Sequence, residues 1–377
     1  MAGLYVHIPF CKRRCLYCDF FSTTLLERRE EYVQAVLQEI SNRHEEAGEP
    51  IRTIYIGGGT PSMLTAEQIR TILAAIGTKD AKEITMEANP GDLTSEYLRA
   101  IRRAGINRLS IGIQSFKDEL LQLIDRRHTA TQAINAVHMA QEAGFDNISI
   151  DLMYALPTQT MTLWEEDIES ALLLNIQHIS CYGLMYEDGT ALSHMRDTGD
   201  IEPIDEDTEN EMYDVLCCRL KQAGFTHYEV SNFALPGYEA KHNSSYWNGT
   251  PYVGIGAGAH SYVGRTRNWN PNDIDAYING IKQSNLVRES EQLSDTDLYN
   301  EHIMLGLRTC QGIYVDKTPI KPRQNPDPLT SGLRDDNGTI ARLCGEGLLR
   351  LTEDRKIVAT QKGLHVLNSI ITELMTE

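Results

Sequence analysis

Apolar positions along the first half of the chain follow two alternating periods. Short runs rich in β-branched and aromatic residues begin near Leu4 (LYVHI), Thr53 (TIYIG), Glu83 (EITMEA), Arg108 (RLSIGI), Asn147 (NISIDL) and His178 (HISCYGL). Each has the length and make-up of a strand. Between them the apolar residues recur at helical spacing, over 28–43, 66–76, 95–103, 131–142 and 163–174. Thr65 and Thr94 are placed to cap two of these helices. Six strand–helix units in near-regular succession predict an α/β fold with a parallel sheet, as a barrel, a partial barrel or a doubly wound sheet.

After Gly183 the rhythm changes. A longer helical pattern covers 205–222, a short strand follows around 227–230, and 232–270 is rich in Gly and aromatic residues. A new helical pattern occupies 293–307, and Pro319, Pro322, Pro326 and Pro328 mark an extended loop. The tail, 340–375, reads as helix, hairpin turning at 353–356, and helix: a small α+β unit of winged-helix-like outline. These changes divide the chain into 1–225, a connecting region 226–290, and a C-terminal domain 291–377. The tail's basic residues (Arg342, Arg350, Arg355, Lys356, Lys362) are matched by its acidic ones (Glu346, Glu353, Asp354, Glu373, Glu377). Such a wing suits packing or a protein partner and not a DNA groove.

Composition narrows the function. With 377 residues the chain can bury a sizeable core without disulfides. Lys and Arg number 35 against 53 Asp and Glu, a formal charge of −18, which argues against binding a nucleic-acid backbone. No apolar run approaches the roughly 18 residues of a spanning helix. The N-terminus lacks a basic region and a small-residue cleavage site, so the expected location is the cytoplasm. In a reducing compartment the eight cysteines point to metal ligation or catalysis before disulfides.

Three of them, Cys11, Cys15 and Cys18, form C-x-x-x-C-x-x-C directly after the first strand. Three thiolates so close can wrap one soft metal centre. A structural zinc wants four protein ligands, and no fourth Cys or His stands at a matching short spacing. A 4Fe–4S cluster on three cysteines leaves one iron open. A zinc site completed from afar, or spare core thiols, are the competing readings. Cys181, Cys217, Cys218, Cys310 and Cys344 show no ligand spacing and read as small buried apolar residues.

Polar residues end the strands that follow. Gly57-Gly58-Gly59-Thr60-Pro61 leaves the second strand, Glu87 ends the third, Gln114 the fourth and Asp151 the fifth. Singly, each fits a turn, a helix cap or a solvated rim. Jointly, they decorate the C-terminal ends of successive parallel strands, the edge where barrel-type folds build their sites.

The segment Y-x-H-I-P-F-C-x-x-x-C-x-Y-C, from Tyr5 to Cys18, resembles the opening motif of radical S-adenosylmethionine (SAM) proteins, and within them the anaerobic coproporphyrinogen oxidase family. The resemblance implies a partial (β/α)6 barrel of the TIM type. It also implies a 4Fe–4S cluster on Cys11, Cys15 and Cys18 whose open iron is chelated by SAM, and an electron from the cluster that cleaves SAM to methionine and a 5′-deoxyadenosyl radical. By the same resemblance Gly58, Gly59 and Thr60 line the methionine end of SAM. Glu87, Gln114, Arg126 and Asp151 contact SAM or a second ligand, with Tyr5 and Tyr17 as flanking contacts and Gly183 as a contact on the last barrel strand. Arg126 stands in I-D-R-R-H beside Arg127, where the family more often shows L-G-R-x-H.

Two features separate the chain from the dehydrogenases of that family. There the third cysteine is followed by x-C; here Cys18 is followed by Asp19 and Phe20, and only residues 1–4 precede Tyr5. The second feature is H-N-S-S-Y-W, 242–247. A His beside aromatic rings suits a haem site, although most such histidines are structural. H-N-x-x-Y-W, with S-N-F-A (231–234) and G-x-G-A-G-A-H-S (254–261), is similar to the haem-chaperone (HemW) subgroup. That resemblance implies a haem site at His242, Tyr246 and Trp247, with His260 as a second candidate ligand. It further implies delivery of haem to haem-requiring acceptor proteins, membrane-bound ones among them. The alternatives are an oxygen-independent coproporphyrinogen oxidase or another radical SAM enzyme.

Overall fold

Alternation along the strands determines which way the sheet curls. On β1 (Ala2–Ile8) Leu4, Val6 and Ile8 have no exposed surface and join the apolar core, while Tyr5 and His7 point the other way. The same division holds on β2 (Ile51–Gly58), β3 (Glu83–Ala88), β4 (Arg108–Gln114), β5 (Ile148–Tyr154) and β6 (His178–Gly183). Ile54, Ile56, Ile84, Met86, Leu109, Ile111, Ile148, Ile150 and Ile179 face outward into the core. Helices α1 (Arg29–Arg43), α2 (Ala66–Ile76), α3 (Ser95–Ala104), α5 (Ala130–Glu142), α6 (Met161–Leu173) and α8 (Glu206–Gln222) cover that face, while α4 (Asp118–Leu123) and α7 (Ala191–Thr198) pack in a separate cluster with Met153, Leu16 and Tyr17. Thr65 and Thr94 cap α2 and α3 as expected, accepting from the backbone N–H of Gln68 and Tyr97.

This is a computed structural model, and it describes residues 2–43, 45–315, 333 and 338–376; the proline loop expected over 319–328 lies outside them. β1 to β6 pair in parallel and in sequence order, forming a partial barrel whose inner surface is polar. The stretch after α8 extends the same sheet at both ends. β7 (Thr226–Glu229) and β8 (Asn232–Ala234) form a hairpin on β6, while β9 (Tyr252–Ile255) lies parallel to β1 on the opposite side. β10 (His260–Val263), β11 (Thr266–Trp269) and β12 (Glu289–Gln292) continue outward, antiparallel. Between β8 and β9 the H-N-S-S-Y-W segment forms a short helix, α9 (Lys241–Trp247), and α10 (Ile274–Lys282) packs against α1.

The C-terminal part has its own apolar core, with Ile303, Leu307, Ile340, Leu343, Ile357 and Ile371 among its members. It comprises α11 (Asp295–Gly306), β13 (Ile313–Tyr314), α12 (Thr339–Gly345), β14 (Leu349–Leu351), β15 (Lys356–Ala359), α13 (Gln361–His365) and α14 (Leu367–Leu374). The β14–β15 hairpin between helices reproduces the expected outline.

One buried ion pair ties α1 to the β9–β11 extension. Arg43 lies 2.6 Å from Glu39. Its guanidinium also donates to the Gly254 carbonyl at 2.9 Å and to Ser261 and Asn268 at 3.2 Å each. The Glu39 carboxylate accepts from Gly256 N at 2.9 Å, Asn270 at 2.9 Å and Tyr277 at 2.7 Å. Both side chains are buried, so each charge is held by bonds the other residues supply. Removing one partner strands the other, at about 3–5 kcal/mol. Glu39→Ala is therefore expected to lower the thermal midpoint by several degrees and loosen residues 252–278 in hydrogen exchange. A loss below about 1 kcal/mol would show that water replaces the carboxylate.

Candidate functional site

The loop between β1 and α1 folds back over the C-terminal ends of the strands. Cys11 N–H donates to Thr23 O at 2.9 Å, Thr23 N–H to Pro9 O at 2.7 Å, and Leu16 N–H to Ile124 O at 3.4 Å. All three cysteines are half-buried. Burial pushes the Cys11 and Cys18 thiols up, and Cys15 adds to both; the Thr60 hydroxyl and the charges of Arg127 and Arg126 oppose this at Cys11. Cys11 Sγ lies 3.3 Å from Thr60 Oγ1, and Arg126 Nη1 donates to Cys15 Sγ at 3.5 Å. Among the described residues no set of three or more His, Cys, Asp and Glu groups closes around a single ion. Three half-buried thiols on one loop, with the Arg126 guanidinium against Cys15, are soft donors of the kind an iron–sulfur group takes.

The glycine loop leaving β2 backs onto the cysteine loop. Gly58 has φ of +115°, and a Cβ there would lie 2.7 Å from the His7 ring. A Cβ on Gly59 would lie 2.7 Å from the Pro9 carbonyl and 3.0 Å from Cys11 Sγ. Only residues without side chains fit between the two loops.

Glu87 stands beside them. Its carboxylate accepts from the Tyr55 hydroxyl at 2.7 Å and from Gly58 N–H at 3.1 Å. Burial pushes its pKa up to about 7 against these two bonds, and the nearby Asp151 charge adds to the rise. Asp151 accepts from Ser110 Oγ at 3.1 Å; burial raises it too, with Arg108 and Arg126 opposing. Arg126 also donates to the Gly112 carbonyl, and its buried Nε has no partner. The Gln114 amide and Arg126 Nη2 both lie 3.1 Å from the point where a side chain on Gly112 would begin. Gln114 itself holds φ of +75°, an uncommon backbone for a side-chain-bearing residue and of a kind that clusters at functional sites. Glu87, Gln114, Arg126 and Asp151 thus share one mouth with the cysteine loop. Tyr17 adjoins Arg126, Cys15 and Asp151. Tyr5 lies deeper, its hydroxyl 2.9 Å from His7 Nδ1 and its ring stacked on Tyr55. Arg127 turns away to pair with Asp92 at 2.8 Å.

Gly183 and His242 are placed differently from the residues above. Alternation on β6 sends His178, Ser180 and Tyr182 inward, so Gly183 faces the helix layer. The space for its side chain is filled by Glu209 of α8 at 2.7 Å and Tyr154 at 3.1 Å, leaving only its backbone at the mouth. His242 is enclosed, with both ring nitrogens engaged. It is fully buried, its Nδ1 lies 2.9 Å from Thr53 Oγ1, and its Nε2 lies 2.8 Å from the Tyr246 hydroxyl. Its ring stacks on Tyr55 at 5.3 Å. The Glu83 carboxylate holds α9 in place by accepting from the N–H groups of Lys241 and His242, at 2.9 and 2.8 Å. Burial, with the Arg108 charge adding to it, lowers the His242 pKa to about 3, so the imidazole is neutral. Tyr246 and Trp247 are half-buried, and the alternative His260 is exposed and stacked on Trp269 at 5.5 Å.

Sequence reasoning passed over Tyr55, Thr85 and Arg108, which stand side by side in register across β2, β3 and β4. Thr85 Oγ1 and Arg108 Nε are buried without partners. The signal was present: polar residues two positions before Gly57, Glu87 and Ser110 in otherwise apolar strands. Gly58→Ala tests the loop contact. The added methyl strains a left-handed backbone by about 1–2 kcal/mol and displaces His7, so a lower melting temperature by circular dichroism is expected. An unchanged one would mean that the two loops part without resistance.

Residues 5–171 match the Radical SAM superfamily. Over 99% of its length the chain is 36% identical to a heme chaperone HemW of Lactococcus lactis, covering 97% of that protein. It is 35% identical to the heme chaperone HemW of Bacillus subtilis, with all of both chains covered. The structure of Escherichia coli coproporphyrinogen III oxidase (HemN), a radical SAM enzyme, superposes with a TM-score of 0.82 over the whole chain and 90% of that enzyme, at 24% identity, a likeness of fold. A three-thiol loop over a polar barrel mouth, full-length kinship to the two chaperones and the shared superfamily signature agree: this chain belongs to the HemW family of radical SAM proteins.

Proposed function

We propose that this chain is a cytoplasmic haem chaperone. It binds haem and hands it to haem-requiring acceptor proteins, membrane-bound ones among them, while carrying a 4Fe–4S cluster and SAM. The observation that carries this reading is the three-thiol loop facing Glu87, Arg126 and Asp151 in a chain 36% identical to a heme chaperone over 99% of its length. Among the described residues no helix is long and apolar enough to cross a membrane, so a membrane-bound acceptor would be met at its surface.

Cys11, Cys15 and Cys18 would hold the cluster and leave one iron open. Bound there, cluster and SAM supply one-electron chemistry. The chain's own groups hold and orient. Arg126 sets a positive charge against the thiolates, and its unpartnered Nε is free to donate to a carboxylate. Gly58, Gly59 and Thr60 let the backbone approach the ligand. Glu87 accepts from ligand hydroxyls, while Gln114, Asp151, Tyr5 and Tyr17 line the mouth and Gly183 adds backbone only. In this proposal residues 1–225 serve the cluster and SAM, 226–290 carry the haem motif at His242, Tyr246 and Trp247, and 291–377 offer a surface to partners.

The oxidase reading draws on the shared fold, but Phe20, which stands at the position of the oxidase's extra cysteine, is 67% exposed and unable to ligate iron. Anaerobically reconstituted protein should hold about four irons, take up haem, and leave coproporphyrinogen unchanged in the presence of SAM and a reductant. Cys15→Ser should lose most of the iron. Turnover of coproporphyrinogen would replace this reading with the oxidase, and stoichiometric zinc without iron would remove the cluster.

The raised Glu87 pKa gives a second test. Below about pH 7 the carboxyl is protonated and a poorer acceptor; above it the carboxylate accepts fully. SAM affinity by calorimetry should therefore rise as pH climbs through 7, and Glu87→Gln should flatten the profile. A slope that survives in Glu87→Gln would assign the titration to another group.

A further inference from the structure

We propose that haem approaches His242 through the cleft between β9–β11 and α11, and that Tyr246 is the gate on the imidazole Nε2. The proposal rests on the haem-chaperone reading and adds the side of entry and the gating residue.

The ring of His242 is hemmed in at Nδ1, at Cε1 and on one face. Nδ1 is engaged by Thr53, one face is stacked on Tyr55, and a Cβ on Gly3 would already lie 3.0 Å from its Cε1. Gly3, Thr53 and Glu83 stand at the N-terminal ends of β1, β2 and β3. The cysteine loop is at the other end, with Tyr55, Tyr5 and Glu87 between, so an iron entering by that mouth does not reach His242. Nε2 instead points at the Tyr246 hydroxyl, 2.8 Å away.

Beyond Tyr246 there is space. Its ring sits edge-on to Tyr252 at 4.7 Å. Both rings line a cavity of about 160 Å³ with Tyr262, Leu298, Leu305 and His302. Aromatic and leucine side chains form the walls a macrocycle needs. The His302 imidazole has no hydrogen bond or ion pair among the described residues, lines this space, and has its pKa lowered by burial. Arg267 lies over the Tyr262 ring and pairs with Glu301 at 2.8 Å on the cavity wall. There a propionate can replace the Glu301 carboxylate. An imidazole, apolar walls and a guanidinium together suit haem better than a purely apolar ligand.

The volume sets the order of events. The cavity accepts a displaced phenol ring and is too small for a tetrapyrrole, so α11 must draw back from the sheet extension as haem enters. The seam is held by a small cluster of Tyr262, Leu293 and Leu298 with Tyr252 against it, and by the Arg265–Asp295 and Arg267–Glu301 ion pairs, so opening it breaks these contacts and leaves the two larger cores intact. When Tyr246 swings into the cavity, its hydrogen bond to Nε2 breaks. With the ring proton on Nδ1, donated to Thr53, the freed Nε2 lone pair binds iron, and no proton is gained or lost.

Haemin uptake by stopped-flow, read at the Soret band in the cluster-loaded protein, tests this. Tyr246→Phe keeps the ring and removes the hydroxyl, and uptake should quicken several-fold with the His-ligated spectrum retained. Leu305→Trp fills the cavity, and uptake should slow at least ten-fold while the iron–sulfur absorbance and circular dichroism stay unchanged. If Leu305→Trp unfolds, Leu298→Phe repeats the test with a smaller intrusion. Wild-type uptake in a folded cavity-filling variant overturns the proposal. So does loss of the Soret spectrum in Tyr246→Phe, which would make Tyr246 the ligand. Wild-type protein that takes up no haemin sinks the chaperone reading itself.

Discussion

Every parallel strand in this chain has one apolar and one polar face, and the polar face is turned inward. That constraint governs the rest. A closed inner surface of Tyr, His, Thr, Glu, Arg, Ser and Asp is tolerable only if its groups satisfy one another or a guest. Much of it is satisfied from within: Tyr55 and Gly58 on Glu87, Ser110 on Asp151, and His178 between Ser149 at 2.7 Å and the Tyr228 hydroxyl at 2.8 Å. What remains unsatisfied lies where a ligand or water belongs, at Arg126 near the mouth and at Thr85 and Arg108 below it. The apolar face asks only for helices, and the chain supplies them in turn.

The polar interior also connects the two ends of the barrel. Tyr55 donates to Glu87 at the mouth, and its ring stacks on His242 at the floor. One side chain thus touches both the residue proposed to contact SAM and the residue that the haem motif singles out. The floor is shut by α9, held by Glu83 through two N–H groups, while the mouth is formed by loops. The sites proposed for two very different ligands would thus be stacked along one axis and share a tyrosine.

The strand–helix succession was readable in the sequence because both periods are strong there: each of the six barrel strands and the five helices anticipated between them stand within a few residues of their expected places. The cysteine spacing and the strand-end residues were readable because chemistry at a strand end leaves a polar residue where a core residue belongs. The β9–β12 extension was not, because its strands are four residues each and the outer two, TRNW and ESEQ, are mostly polar, so they lack the apolar runs that mark a strand. The state of His242 was beyond reach for a related reason. A motif records which residues recur together, and burial and hydrogen bonding decide whether a ring nitrogen is open or engaged. Gly183 shows the same limit: a position in register with the barrel can face either layer, and a one-residue step along the strand decides which.

The Glu39–Arg43 pair has a consequence for how the protein is made. A ribosome releases α1 long before the residues that surround its buried charges. Gly254 is 211 positions beyond Arg43, and Tyr277 is 238 beyond Glu39. Until that distant stretch emerges, a helix destined for the interior carries a carboxylate and a guanidinium with only each other and Glu46 for company. The nascent chain can lay down its strand–helix units one after another, yet the first of them is seated last. Synthesis runs from one end to the other, while the final closure of the sheet returns to the beginning, and a chain halted near the end of α8 would present an unfinished edge at β1 for other chains to pair with.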